Sequence, residues 1–142
     1  MFMEGKQAND GGDYLSEMWG YNNVKFDSAT DFFHWMFPLD QTNEAVPDAL
    51  VVSEDEIDDI RHSELAKENL LQSAERFHEF LDGTNNWEHL RNHNHQRISL
   101  VISSLRLLHS DEEADQFMNV VLDLAFSRSF SNFDVIEQWE TC

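Results

Sequence analysis

Asn92-His93-Asn94-His95-Gln96-Arg97-Ile98-Ser99 runs without a break into Leu100-Val101-Ile102-Ser103-Ser104-Leu105-Arg106-Leu107-Leu108. Ile98, Val101, Ile102, Leu105 and Leu108 recur at the three- and four-residue intervals of a helix with one apolar face. Asn92 or Asn94 stands where such a helix needs an N-cap. The spacing therefore predicts a buried helix entered through a polar segment of two asparagines, two histidines and an arginine.

The same signals recur on both sides. Downstream, Ser110 with Glu113 forms a capping box ahead of Ala114, Phe117, Met118, Val121, Leu124 and Ala125, and Ser131 with Asp134 resembles another ahead of Ile136 and Trp139. Upstream, Ser63 caps a helix carrying Leu70, Ala74, Phe77 and Leu81 that ends at Gly83, and Ser53 with Glu56 opens one carrying Ile57 and Ile60. Asp27 or Ser28 starts a helix through Phe32, Phe33, Trp35 and Met36, which Pro38 stops because it lacks an amide and restricts Phe37. Asp13 caps a short helix with Leu15, Met18 and Trp19 that Gly20 ends. Leu50-Val51-Val52 is expected to tuck against the body. No stretch alternates as a half-buried strand does. These signals predict an all-α fold, a single compact domain of six or seven helices, with 1–12 a flexible N-terminal segment and 127–142 an extension carrying one short helix.

Composition bounds the function. Of 142 residues, 28 are acidic and nine basic, a net charge of −19; residues 1–60 carry −12 of it and 61–142 carry −7. A field of that sign opposes binding to nucleic acid or to an anionic membrane, and attracts a basic protein surface. The one cysteine, Cys142, allows no internal disulfide and no thiolate metal site. Met1-Phe2-Met3-Glu4 lacks the basic and apolar regions of a signal peptide, and no apolar run has membrane-spanning length, so a cytoplasmic protein is expected.

Two blocks of this sequence resemble a known family. Asp31-Phe32-Phe33-His34-Trp35-Met36-Phe37-Pro38-Leu39 is similar to the "IQWLFPL" signature of the opioid growth factor receptor conserved domain. Asn92-His93-Asn94-His95-Gln96-Arg97-Ile98 resembles its "NHNHLRI" segment, with Leu105-Arg106-Leu107-Leu108 continuing in register. Asn43-Glu44, Pro47 and Ser53-Glu54-Asp55-Glu56-Ile57 resemble the intervening loop and acidic helix start. The likeness spans about residues 13–126 and implies a helical fold in which Trp35, Phe37, Pro38, Asn92, His93, Asn94, His95 and Arg97 are structural. Animal members are linked to opioid peptide binding, which implies a peptide-binding domain as an alternative function; many microbial and phage members are single domains. The chain departs from the pattern in lacking the helix that the family places ahead of Tyr14.

For function, the polar segment is the first candidate. A metal-dependent hydrolase at His93 and His95 requires a third ligand, for which Glu88 and His89 are available. Alternate residues on a helix diverge, however, and a nuclease of the HNH kind needs a β-hairpin and a DNA substrate that the charge repels. Capping by the asparagines, with the histidines bonded to carbonyls near Trp87, is the preferred reading, so no metal and no cofactor are expected. Arg97 is expected to be an internal strut paired with a carboxylate, Asp31 being the candidate. Phe32, Phe33, Trp35 and Phe37 are expected in the core, with at least one of Trp35, Met36 and Phe37 partly exposed. The acidic run Asp40, Glu44, Asp48, Glu54, Asp55, Glu56, Asp58 and Asp59 contains no base; a helix start accounts for three of these charges. Together with Asp111, Glu112, Glu113 and Asp115 it predicts a non-enzymatic module that contacts a basic protein. In its sharper form this is an inhibitor of anti-defence type that mimics nucleic-acid charge.

Overall fold

The computed structural model describes residues 1–9, 11–29, 31–41 and 51–142, with the side chain of Asp31 also outside the description. Glu44, Asp48, Asn43, Pro47 and Leu50 lie outside the described residues. The rest is all-helical: α1 (Leu15–Trp19), α2 (Asn23–Ser28), α3 (Asp31–Met36), α4 (Glu54–Arg61), α5 (Glu64–Asp82), α6 (His93–Leu108), α7 (Asp111–Ser127) and α8 (Phe133–Glu140), with 3-10 turns at Phe2–Glu4 and Asn86–Glu88. Among the described residues the sole extended pairing is a single bridge from Leu39 to Val51, beside which the Val52 amide donates to the Leu39 carbonyl at 2.9 Å. No helix among them is long and apolar enough to cross a membrane.

Among the described residues eight α-helices stand where six or seven were expected, and the local reasons are visible. The aromatic segment is two helices, because Asn22 caps α2 through its side-chain oxygen on the Lys25 amide at 2.9 Å. Tyr14, rather than Asp13, takes the cap position of α1; Asp13 instead accepts a hydrogen bond from the Tyr21 hydroxyl at 2.5 Å. Asn132, rather than Ser131, caps α8. Caps at Ser53, Ser63, Asn92 and Ser110 lie where the sequence places them.

α6 is the axis of the core. Ile98, Val101, Ile102, Leu105 and Leu108 are fully buried, and Ser104, equally buried, donates to the Pro38 carbonyl at 2.9 Å. α5 lies against it with Leu70, Phe77, Phe80 and Leu81, and Phe26, Phe33 and Phe77 interlock edge-to-face and stacked between them. The segment 1–12, expected to be flexible, is not so at its start. Phe2 and Met3 are buried, the Met3 carbonyl accepts from Asn69, Glu4 accepts from Ser63, and Gly5 closes the turn at φ +76°, where a side chain would be strained.

The arginines follow one rule. Five of the six donate to main-chain oxygens at, or just beyond, the C-terminal end of another helix. Arg61 reaches Leu107 of α6 at 2.7 Å, Arg76 reaches Trp19 of α1 at 2.9 Å, and Arg97 reaches Phe26 of α2 at 2.8 Å. Arg106 reaches Cys142 beyond α8 at 2.9 Å, and Arg128 reaches Asp82 of α5. The last carbonyls of a helix have no intrahelical donor and carry partial negative charge, so a guanidinium from a neighbouring helix both satisfies them and ties two elements together.

Candidate functional site

The polar entry to α6 is built by three elements. Asn92 caps the helix through its oxygen on the Asn94 amide at 2.9 Å. Asp27 at the end of α2 is the hub: its carboxylate accepts from Asn94 Nδ2 at 2.9 Å, and His93 Nε2 lies 2.9 Å from its carbonyl and 3.1 Å from its carboxylate. Asp27 was not singled out from sequence, where it reads as a helix cap; its proximity to Asn94 is a tertiary fact.

Arg97, 7% exposed, donates to the Phe26 and Ala29 carbonyls at 2.8 and 2.6 Å and to Asn94 Oδ1 at 3.3 Å, with its guanidinium over the Phe33 ring at 4.7 Å. Burial pulls its pKa down to about 10, opposed by the charge of Asp27. Among the described side chains the acceptors of Arg97 are two carbonyls and an amide oxygen, with no carboxylate bonded to it directly; Asp31, the expected partner, lies outside the described side chains. The two sequence blocks nevertheless pack together, since Phe32 and Phe33 of α3 face Arg97 of α6.

His95, 6% exposed, holds Nε2 2.6 Å from the Trp87 carbonyl, and its own carbonyl accepts from Trp139 Nε1 at 3.0 Å. Its ring meets Phe130 and Trp139 edge-on. Burial lowers its pKa, against the raising effect of the Trp87 carbonyl and with a smaller lowering from His93. A carbonyl can only accept, so in the neutral ring the proton sits on Nε2. Both histidines direct Nε2 at the fold, and among the described residues no three His, Cys, Asp or Glu side chains are grouped to hold a metal. His95 and His93 also line an open cleft of about 740 Å³ between the start of α6 and α8, with Leu90, Arg91, Asp134 and Gln138.

The aromatic cluster is mostly interior. Phe32, Phe33, Met36, Phe37 and Pro38 are buried, while Trp35 is half-buried with its ring edge-to-face with Phe2 at 5.2 Å.

The acidic residues divide into two groups. On α7, Asp111 and Asp115 are engaged by Arg106 at 3.0 and 2.9 Å, which raises the Arg106 pKa through the Asp115 and Asp111 hydrogen bonds; Glu112 is exposed and Glu113 half-buried. On α4, Glu54, Asp55, Glu56, Asp58 and Asp59 are all exposed. Glu56 closes the capping box on the Ser53 amide at 3.1 Å, and among the described residues none of the five carboxylates has a cation on it. Asp40, also exposed, follows Leu39, whose bridge to Val51 sets it near the start of α4. Comparison with known protein families, with curated proteins and with solved structures found no match.

Proposed function

We propose that this protein is a non-enzymatic binding module whose α4 face docks on the basic surface of a partner protein. In its sharper form it is an inhibitor that fills a nucleic-acid site with carboxylates in place of phosphates. The observation that carries the reading is the unequal treatment of the acids. Two of those on α7, Asp111 and Asp115, are held by Arg106, whereas among the described residues no carboxylate of α4 has a cation on it. Glu54, Asp55 and Glu56 sit at the positive end of the α4 macrodipole, which favours them. Asp58 and Asp59 sit in the last turn of the same eight-residue helix, where that field opposes negative charge. Arg61 of the same turn reaches the Leu107 carbonyl instead, and among the described residues no cation sits on either carboxylate; a basic partner would supply one.

The resemblance to the opioid growth factor receptor conserved domain belongs to the same proposal, supported by the packing of its two signature blocks around Arg97. Peptide binding through the aromatic cluster gains little from that packing, because the cluster is turned into the core.

The test is retention of a basic nucleic-acid-binding protein from the native host on the immobilised chain. Retention is expected at about 0.05 M salt, lost at about 0.5 M, where charges are screened over a few ångströms. It should be competed by DNA and abolished in D55N/D58N/D59N. Because relief at Asp58 and Asp59, which oppose the helix field, offsets the loss at Asp55, which it favours, that variant should fold about as stably as the parent. Retention indifferent to salt and to the triple substitution refutes the reading.

A further inference from the structure

Arg91 is the exception among the arginines. Lys6 and Lys67 sit on Glu4 and Glu64, Lys25 lies over the Tyr21 ring, and the other five arginines reach helix ends. Among the described residues Arg91 is the one cation that is exposed with no hydrogen bond, ion pair or ring contact, in a chain with about three times as many acids as bases. It lines the cleft between α6 and α8. Asp134 lines the same cleft, is exposed, and has no cation on it either; the two are not an ion pair.

The same cleft is bordered by a third group with a free acceptor. His95 is nine-tenths buried and its Nε2 proton is committed to the Trp87 carbonyl, so Nδ1 carries a lone pair. Nδ1 has no partner, and among the described residues no buried side-chain nitrogen or oxygen is left without one. Nδ1 is therefore not sealed in the core, and the space that His95 borders is this cleft. The cleft thus offers a guanidinium, a carboxylate and a fixed acceptor, with Leu90 and Val135 as apolar wall.

We propose that the α6–α8 cleft is a binding site for a small zwitterion, an α-amino acid being the simplest. The ligand carboxylate meets Arg91, its ammonium meets Asp134, and His95 Nδ1 accepts one further N–H. Charge decides between this ligand and a plain anion. The field of a −19 chain repels acetate or phosphate from Arg91, and Asp134 adds to that repulsion, whereas a molecule of zero net charge meets neither penalty. A plain amine would satisfy Asp134 but leave Arg91 without a partner. This inference is independent of the α4 reading, which concerns another face and another kind of partner.

The test is titration of the isotopically labelled full chain with L-leucine, glycine, acetate and methylamine, followed by amide and side-chain NMR. L-leucine and glycine should give saturable shifts confined to residues 90–96 and 132–138, with the Arg91 Nε–H and the His95 ring nitrogens among them. Acetate and methylamine should each bind at least roughly tenfold more weakly, the expected loss for one charge-assisted hydrogen-bonding group. Arg91→Gln and Asp134→Asn alter exposed side chains, so their spectra report folding directly, and each should weaken L-leucine by a similar factor. Absence of saturable shifts up to about 10 mM, acetate binding as tightly as L-leucine, or variants that bind like the parent each overturn the assignment.

Discussion

Replacing Arg97 tests whether a buried guanidinium can hold two helices together through carbonyls alone. Arg97→Ala removes donors at 2.8 and 2.6 Å from the Phe26 and Ala29 carbonyls, leaving the last turn of α2 without its external cap. Hydrogen bonds to charged groups contribute about 1.5–3 kcal/mol each after solvation is counted, so the pair contributes about 3–6 kcal/mol. The depressed Arg97 pKa shows that desolvation is strong here, which places the expectation at the lower end, about 3–4 kcal/mol. For a domain of this size each kcal/mol moves Tm by roughly 2–4 °C, so a fall of about 6–16 °C is expected in a thermal melt. Arg97→Met keeps much of the volume over Phe33 and loses every donor. It should fall with Arg97→Ala to within about 1 kcal/mol, and Arg97→Lys should recover part of the loss. Exchange of the Ala29 amide, bonded to the Lys25 carbonyl at 2.9 Å, should quicken in Ala and Met alike. If Arg97→Met melts with the parent, the role of Arg97 is packing over Phe33 and the capping argument fails.

Three further outcomes are expected. Burial lowers the His95 pKa below its usual 6.5, so between the folded value and 6.5 the unfolded chain binds the proton and the fold does not. Stability from this group is level above about 6.5 and falls as pH drops; in urea unfolding at several pH values, His95→Gln should lose less on acidification than the parent, and parallel curves would contradict the cause. Trp139 is fully buried, donates to the His95 carbonyl and stacks on Phe130 at 5.7 Å, so Trp139→Ala should cost about 3–5 kcal/mol; a near-normal melt would make α8 an accessory tail. Phe2→Ala should cost about 3 kcal/mol by calorimetry, whereas an unchanged melt would restore a loose N-terminus.

What could be read ahead of the structure follows the range of the interaction. Ser53, Ser63, Asn92 and Ser110 cap helices by reaching an amide two or three residues away, so sequence spacing alone places them. Where two polar residues adjoin, as Ser131 and Asn132 do, local chemistry permits either. Asn132 caps α8 while its amide donates to the Leu90 carbonyl at 2.7 Å, a tertiary bond that no local pattern contains. The same limit applies at the polar segment. Its composition announced a polar junction, yet the partners of Arg97 and His95 are carbonyls, and a carbonyl has no letter of its own in the sequence. Asp27 and Arg91 were passed over for related reasons: one matters through residues about 66 positions away, the other through having no partner.

The disposition of the arginines also bears on why so acidic a chain folds as it does. Had the five arginines faced carboxylates alone, the gain would have been small, because exposed ion pairs contribute about 0–1 kcal/mol. Against the last carbonyls of buried helices, a guanidinium satisfies acceptors that would otherwise be left open where water is scarce. Five arginines in those positions join α4 to α6, α5 to α1, α6 to α2, α6 to the end of α8, and α7 to α5. The carboxylates are then left on the surface largely uncompensated, most of all on α4. The surface charge on which the proposed docking rests is thus a consequence of how the scarce arginines hold the helices together, and the one arginine exempt from that duty, Arg91, borders the α6–α8 cleft.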